Sequence, residues 1–237
     1  MAASLFSQTR RTFLLSAAKK PLSIGGIRFG IETTQRSKRR YLHIHGNEST
    51  ARDVLRQHAK SHNGIYFFVV GDKRMVQVGD CLIDPNRMFT PDGARKSLER
   101  WNKSKTSVQI DAAIALLDRD RDSFLESVIP PKGGLMIALH NNSDGYSIQD
   151  VLAISDKVSM PDPDHPRDFM LATNEADYKK IAKGRFNIVL QKSVRGDDGS
   201  FSVLAAGRAI RYVNIEAAIG NFEKQKAMLS FLEIVLR

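Results

Sequence analysis

Gly64 and Gly71 bracket six consecutive apolar residues, Ile65-Tyr66-Phe67-Phe68-Val69-Val70. A run this short and unbroken reads as a central strand buried on both faces. A strand with two apolar faces needs cover on both sides, so helices are expected on each face of the sheet that contains it. The neighbouring segments supply that cover. Residues 27–31 and 40–45 read as strands, and the polar stretch 33–38 between them could close a hairpin. Residues 49–62 read as a helix, because Ala51, Val54, Leu55 and His58 share one face and Asn63-Gly64 supplies a stop. Residues 74–78 alternate and read as a neighbouring strand.

The same alternation continues downstream. Residues 107–127 read as a helix with Val108, Ala112, Ala115 and Leu116 inward, and the run Asp118-Arg119-Asp120-Arg121-Asp122 as its solvated face. Residues 135–140 form a second buried strand, and 155–168, with Pro161, Pro163 and Pro166, an irregular loop that could wall a pocket. Asn174 caps a helix reaching Lys183, with Gly184 at its C′ position. Residues 186–191 read as a strand, and Gly196-Asp197-Asp198-Gly199 as a turn into an apolar segment, 201–205, that completes the sheet. Residues 211–217 read as a strand and 222–236 as a helix with Met228, Leu229, Leu232 and Val235 buried. The expected fold is α/β, a single domain over 27–237 with a mixed, largely parallel central sheet flanked by helices, preceded by a basic leader over 1–26. With 237 residues, 42% of them hydrophobic, the chain can bury such a core.

The net charge of +10 resembles a nucleic-acid signature, but its distribution argues otherwise. Residues 1–40 hold nine Lys/Arg and the single acid Glu32, a charge of +8, which leaves +2 for residues 41–237. The basicity belongs to the N-terminal segment, and no nucleic acid is expected on the folded body. Within that segment Thr9-Arg10-Arg11-Thr12-Phe13-Leu14-Leu15 resembles a twin-arginine export signal. Its apolar part stops at Lys19-Lys20, short of the ~7–15 residues of a signal core, so a transit peptide or a solvated leader fits as well. No stretch approaches the ~18–20 apolar residues of a membrane span. Cys81 is the only cysteine, which excludes an internal disulfide and a thiolate metal cluster.

Chemistry concentrates at strand ends. The strand over 40–45 runs into His45-Gly46-Asn47-Glu48, where a sharp turn could aim an imidazole and a carboxylate at one point, or simply start a helix. The strand over 135–140 ends in His140, followed by Asn141 and Asn142. Together, His45, Glu48 and His140 make a three-ligand set that leaves room for water on a zinc ion. Asp84-Pro85-Asn86-Arg87 lies in a loop, because proline cannot continue a central strand. Arg87 with Asn86 could grip a carboxylate, or Arg87 could pair with Asp84 and Asn86 cap a turn. Alternation over 211–217 puts Tyr212, Asn214 and Glu216 on one face. Glu233 falls in the last helix as a surface acid.

The order His-Gly-Asn-Glu, then Asp-x-Asn-Arg-x-Phe, then a strand ending Leu-His-Asn resembles the zinc carboxypeptidase superfamily, with the aspartoacylase and succinylglutamate desuccinylase branch most similar. The resemblance covers roughly residues 40–220. It implies one zinc ion held by His45, Glu48 and His140, and a carboxylate clamp of Asn86 and Arg87. It also implies Glu216 as the catalytic base. His43, on the face of His45, is expected behind the ligands. The family commonly uses an arginine shortly before the Asn-Arg pair to polarise the scissile carbonyl. Gly79 and Asp80 occupy that neighbourhood here, and Arg74 is the nearest upstream candidate. Only residues 217–237 follow Glu216, so the branch's additional carboxy-terminal domain is expected to be absent. The resemblance implies hydrolysis of an amide bond in a small carboxylate-bearing substrate or peptide. An inactive relic that binds zinc or a carboxylate, and a basic binding module using residues 1–40, stay open beside it.

Overall fold

Four parallel strands form the centre of the molecule, a computed structural model that describes residues 22–237. They are β3 (Arg39–His43), β4 (Ile65–Val69), β7 (Leu135–Asn142) and β11 (Tyr212–Ala218). Around them, in sheet order, lie β1 (Leu22–Ile24) and β2 (Ile27–Thr33) beyond β4, and β9 (Phe169–Ala172), β10 (Asn187–Leu190) and β8 (Lys157–Ser159) beyond β11. The nine-stranded order is β1-β2-β4-β3-β7-β11-β9-β10-β8. Parallel pairs join β4, β3, β7 and β11, while β1, β2, β8 and the β9/β11 edge pair antiparallel. The fold is thus α/β with a mixed, largely parallel central sheet. Residues 1–21, including Arg10-Arg11, lie outside the described residues. Leu22–Ile24 and Gly25-Gly26, assigned above to the leader, form β1 and its turn onto β2. Among the described residues no helix is long and apolar enough to cross a membrane.

Alternation along the strands splits the core in two. Tyr66, Phe68, Ile137, Leu139, Val213 and Ile215 face α1 (Ser49–Ala59), α4 (Glu175–Ile181) and α6 (Phe222–Val235). Phe67, Val69, Met136, Ala138 and Tyr212 face α2 (Pro91–Trp101), α3 (Ser107–Val128) and α5 (Phe201–Gly207). Every residue of β7 is buried, which explains its unbroken apolar run. Parity then puts His140 and Glu216 on the α2/α3/α5 side, two and four residues from Ala138 and Tyr212.

Several expectations change. β2 and β3 do not form a hairpin, since β4 lies between them. Thr34 is instead tied to the start of β4, its backbone N–H donating to Gly64 O at 3.1 Å. The 74–78 strand is shorter, β5 (Val76–Val78), and leaves the main sheet to pair with β6 (Cys81–Ile83). Gly79, at φ +56°, turns Val78 back onto Cys81 in a two-residue hairpin loop. Segment 201–205 is helix α5, started by Ser200, whose Oγ accepts from Val203 N. Its burial at Phe201, Leu204 and Ala205 follows helical spacing, which so short an apolar run does not reveal. In α3 the buried stripe is Ile110, Ala113, Ile114, Leu117, Phe124, Leu125 and Val128, whereas Val108 is 75% exposed and Ala112 and Ala115 face solvent. Arg121, in the charge run taken as a solvated face, is buried and donates from Nε to Met88 O at 3.0 Å. Glu233 is no plain surface acid, because it accepts from Tyr41 OH at 2.8 Å and pairs with Arg39 at 3.3 Å. Gly184 does not need a left-handed backbone. The Phe231 ring occupies the space of any side chain there, 2.3 Å from a built Cβ.

On the α1 side His58 is buried, its Nδ1 2.9 Å from Tyr66 OH and its ring stacked 3.9 Å from His62. Burial, then the charges of His62 and Arg39, push its pKa from 6.5 to about 3. The unfolded chain binds this proton below pH 6.5 and the folded chain does not until about pH 3, so stability falls as the pH drops through that window. The expected contribution is about 1.4 kcal/mol per pH unit. Urea midpoints of wild type and His58→Gln, compared between pH 7 and about 4.5, should converge as the pH falls if His58 is buried neutral.

Candidate metal centre

The backbone leaves β3, passes Ile44 and His45, and turns at Gly46. No side chain fits at that turn. A Cβ on Gly46 would lie 2.6 Å from Gly71 O and 2.9 Å from Asp72 N. The close approach is fixed by Gly46 N–H donating to Lys73 O at 3.2 Å, and Glu48 N–H then donates to His45 O at 3.1 Å before α1 begins. The result folds two side chains over each other, with His45 Nδ1 2.8 Å from Glu48 Oε1. β7 brings in His140, whose Nδ1 lies 3.2 Å from His45 Nδ1 and 3.4 Å from Glu48 Oε2. Three residues read from sequence are therefore brought together and buried, and they could hold a metal ion.

The donor spacing suits a metal ion with zinc-like bond lengths. Ligand bonds of 2.0–2.2 Å at tetrahedral angles put donor atoms about 3.4 Å apart, close to the 3.2 and 3.4 Å found here. Glu48 Oε2 is buried with no hydrogen-bond partner, as suits an oxygen that ligates a metal. Burial opposes protonation of His45, but Glu48 and Asp84 outweigh it and hold its pKa up at about 9. Burial would raise Glu48, and the facing His45 and His140 instead hold it well below the usual carboxylate range. An imidazole ligates a metal only when neutral, so a metal bound here would displace the proton that Glu48 and Asp84 hold on His45. His43, as expected, sits behind the site, with Nε2 3.0 Å from Glu48 O and its pKa pushed down to about 4, mainly by burial.

Asp84 is a site residue that the sequence reading missed. Its Oδ1 lies 2.6 Å from His45 Nε2, so that nitrogen carries the hydrogen and Nδ1 is turned toward Glu48 and His140. The Arg87–Asp84 pairing considered from sequence is not formed. Arg87 lies 3.5 Å from Asp198 and donates from Nη1 to Asn86 O at 2.7 Å, while Asp84 Oδ1 accepts from Asn86 N. Residues Pro85–Arg87 form a single 3-10 turn. That turn is clamped from behind, since Asn86 Oδ1 accepts from Phe201 N at 3.1 Å and a Cβ on Gly199 would lie 2.2 Å from Arg87 O.

β11 pairs with β7 so that Glu216 lies opposite His140. Its Oε1 accepts from Asn214 Nδ2 at 3.0 Å and its Oε2 from Asn142 Nδ2 at 3.4 Å. Burial raises its pKa. Asn141 braces the assembly, accepting from Ala51 N in α1 and donating to Gln225 in α6, and Gln225 in turn donates to His140 O. Glu48, His140, Glu216, Asn86, Arg87 and Arg74 all line one cavity of about 390 Å³. Arg74 reaches the cavity but is bound to Glu48 and Asp84 at 3.0 and 3.1 Å. Tyr146 and Ile219 line the cavity as well and had no signal in the sequence, since neither belongs to a spaced motif. No residue of 155–168 lines it; that segment instead contributes β8 at the sheet edge.

No protein-family model matches the chain, and no curated protein matches its sequence. Among solved structures it is similar to a candidate metallopeptidase from Shewanella baltica OS155, with 14% identity, 92% of this chain and 86% of that one covered, and a TM-score of 0.46. It is similar also to a candidate metallopeptidase from Shewanella amazonensis SB2B, at 12% identity, with 91% and 86% covered and a TM-score of 0.44. A third similarity is to the ectoine utilization protein EutE (DoeB) of Ruegeria pomeroyi, at 13% identity, 89% of this chain, 61% of that chain and a TM-score of 0.43.

Proposed function

We propose that this chain is a zinc-dependent hydrolase that cleaves an amide bond in a small substrate with a free carboxylate, an N-acyl amino acid or a short peptide. The observation that carries this reading is the convergence of His45 Nδ1, Glu48 and His140 Nδ1 beside a buried carboxylate, Glu216. His45, Glu48 and His140 would hold one zinc ion. Zinc with three protein ligands supplies Lewis acidity, which makes water more acidic and a carbonyl more electrophilic. The remaining steps belong to this chain's own side chains. Arg87, with N–H groups left over from its bond to Asn86 O, and the Asn86 amide bind the substrate carboxylate. Holding that end fixes the scissile amide in the cavity, so attack is effectively intramolecular. Glu216 takes the proton from the attacking water and delivers it to the leaving nitrogen. Burial raises its pKa, which makes it a stronger base than an exposed glutamate.

Elemental analysis tests the reading. Purified wild type is expected to hold one zinc per chain, and His45→Ala and His140→Ala to lose it while keeping their far-ultraviolet circular dichroism. Wild type that takes up no zinc would sink the proposal. The same measurement without residues 1–21 separates it from a basic binding module, which loses its partner while a hydrolase keeps its metal. One observation favours a second reading, a carboxylate-binding metal protein without turnover. Arg74 is engaged by two carboxylates rather than free to polarise a carbonyl. Zinc-loaded protein that cleaves nothing in a panel of N-acyl amino acids and dipeptides would select that second reading.

A further inference from the structure

Four side chains close a ring of charge-assisted contacts around one edge of the site. His45 Nδ1 lies 2.8 Å from Glu48 Oε1, and that oxygen lies 3.0 Å from Arg74 Nη1. Arg74 Nη2 lies 3.1 Å from Asp84 Oδ2, and Asp84 Oδ1 lies 2.6 Å from His45 Nε2. The ring joins three separate pieces of chain: the turn before α1, the loop over 71–75, and the residue after β6. His45, Glu48 and Asp84 are buried, and Arg74 closes the ring from the solvent side.

We propose that Arg74 is a positioning residue of the metal centre, whose guanidinium fork spaces Glu48 and Asp84 so that Glu48 and His45 Nδ1 aim at one point. This inference rests on the zinc-site reading above. Two carboxylates flank a single imidazole here, and without Arg74 they repel each other while Glu48 Oε1 and Asp84 Oδ2 each lose a charged donor. A guanidinium presents two N–H groups in a fixed plane, and a lysine ammonium is a point donor that cannot occupy both positions. The sign of the effect discriminates. A cation this close to a metal opposes its binding, so if charge alone acted, removing Arg74 would tighten zinc. If Arg74 spaces the ligands, removing it weakens zinc. An arginine serving only the scissile carbonyl would leave zinc affinity unchanged.

Zinc affinity is measured by chelator competition, and the ligand field by the visible spectrum of the cobalt-substituted protein. The proteins are wild type, Arg74→Met, Arg74→Lys, Asp84→Asn and the Arg74→Met/Asp84→Asn double variant. Arg74→Met is expected to weaken zinc by about 10–100-fold, as changes behind metal ligands do. Arg74→Lys should weaken it nearly as much, the double variant no more than the worse single one, and the cobalt bands should shift in each. Unchanged or tighter zinc in Arg74→Met, full rescue by lysine, or additive single effects would each overturn the inference. Metal-free Arg74→Met should melt below metal-free wild type, since two buried carboxylates lose a charged donor, but should keep its far-ultraviolet circular dichroism. A changed circular dichroism spectrum would also overturn it, by making Arg74 a support of the fold at large. Wild type that binds no zinc removes the metal reading and this inference together, whereas zinc-loaded wild type with unaffected variants removes this inference alone.

Discussion

Glu216→Gln is expected to cost roughly 10²–10⁴-fold in kcat while zinc content stays at the wild-type level. The substitution keeps shape and volume, and a glutamine oxygen can still accept from Asn214 or Asn142, so the fold has no reason to change. What it removes is the basic lone pair. Glu216 must be ionised to accept a proton, so wild-type activity should decline as the pH falls through its raised pKa, above the 4.5 of an ordinary glutamate. The pH profile of kcat/KM on any cleaved N-acyl amino acid should show that acid limb in wild type. Substantial activity in Glu216→Gln would assign the base to another group.

Gly46→Ala is expected to destabilise the protein by about 1–3 kcal/mol and to release its zinc. The new methyl would meet backbone, Gly71 O at 2.6 Å, and backbone cannot rotate away as a flexible side chain can. Relief requires separating the 45–48 turn from the loop at 71–73, and that turn carries two of the three ligands. Urea denaturation with zinc analysis reads both effects. Asn47→Ala is the control, since Asn47 is exposed at the cavity mouth and should leave stability unchanged. An alanine variant as stable and as zinc-replete as wild type would show that the close approach is not what shapes the turn.

Local patterns made the strands of the centre legible. The apolar run over 65–70, the all-buried β7 and the period-2 face of Tyr212, Asn214 and Glu216 each follow from neighbours in sequence. Patterns failed where the decisive partner is distant. The face of α3 is misplaced at Val108, Ala112 and Ala115, which are apolar in sequence yet exposed, whereas Leu116 packs against the core and the fully buried stripe passes through Ile110, Ile114 and Leu117. Segment 201–205 is misread for the same reason, since five residues, four of them apolar, serve a helix or a strand equally until a packing surface chooses.

By itself the sequence determined that this chain builds a mixed, largely parallel sheet with helices on both faces, and that His45 and Glu48 share one turn. Both follow from interactions within a few residues. Motif order groups His140 with them, and the tertiary structure decided the geometry at which it arrives and added Asp84. His140 lies 95 residues from His45 and Asp84 lies 39, and they arrive because β7 is placed beside β3 and the β5/β6 hairpin folds over the turn. It also decided that Arg74 spans Glu48 and Asp84 rather than standing free. Sequence spacing sets which side chains share a face, whereas strand order and loop closure set which faces converge.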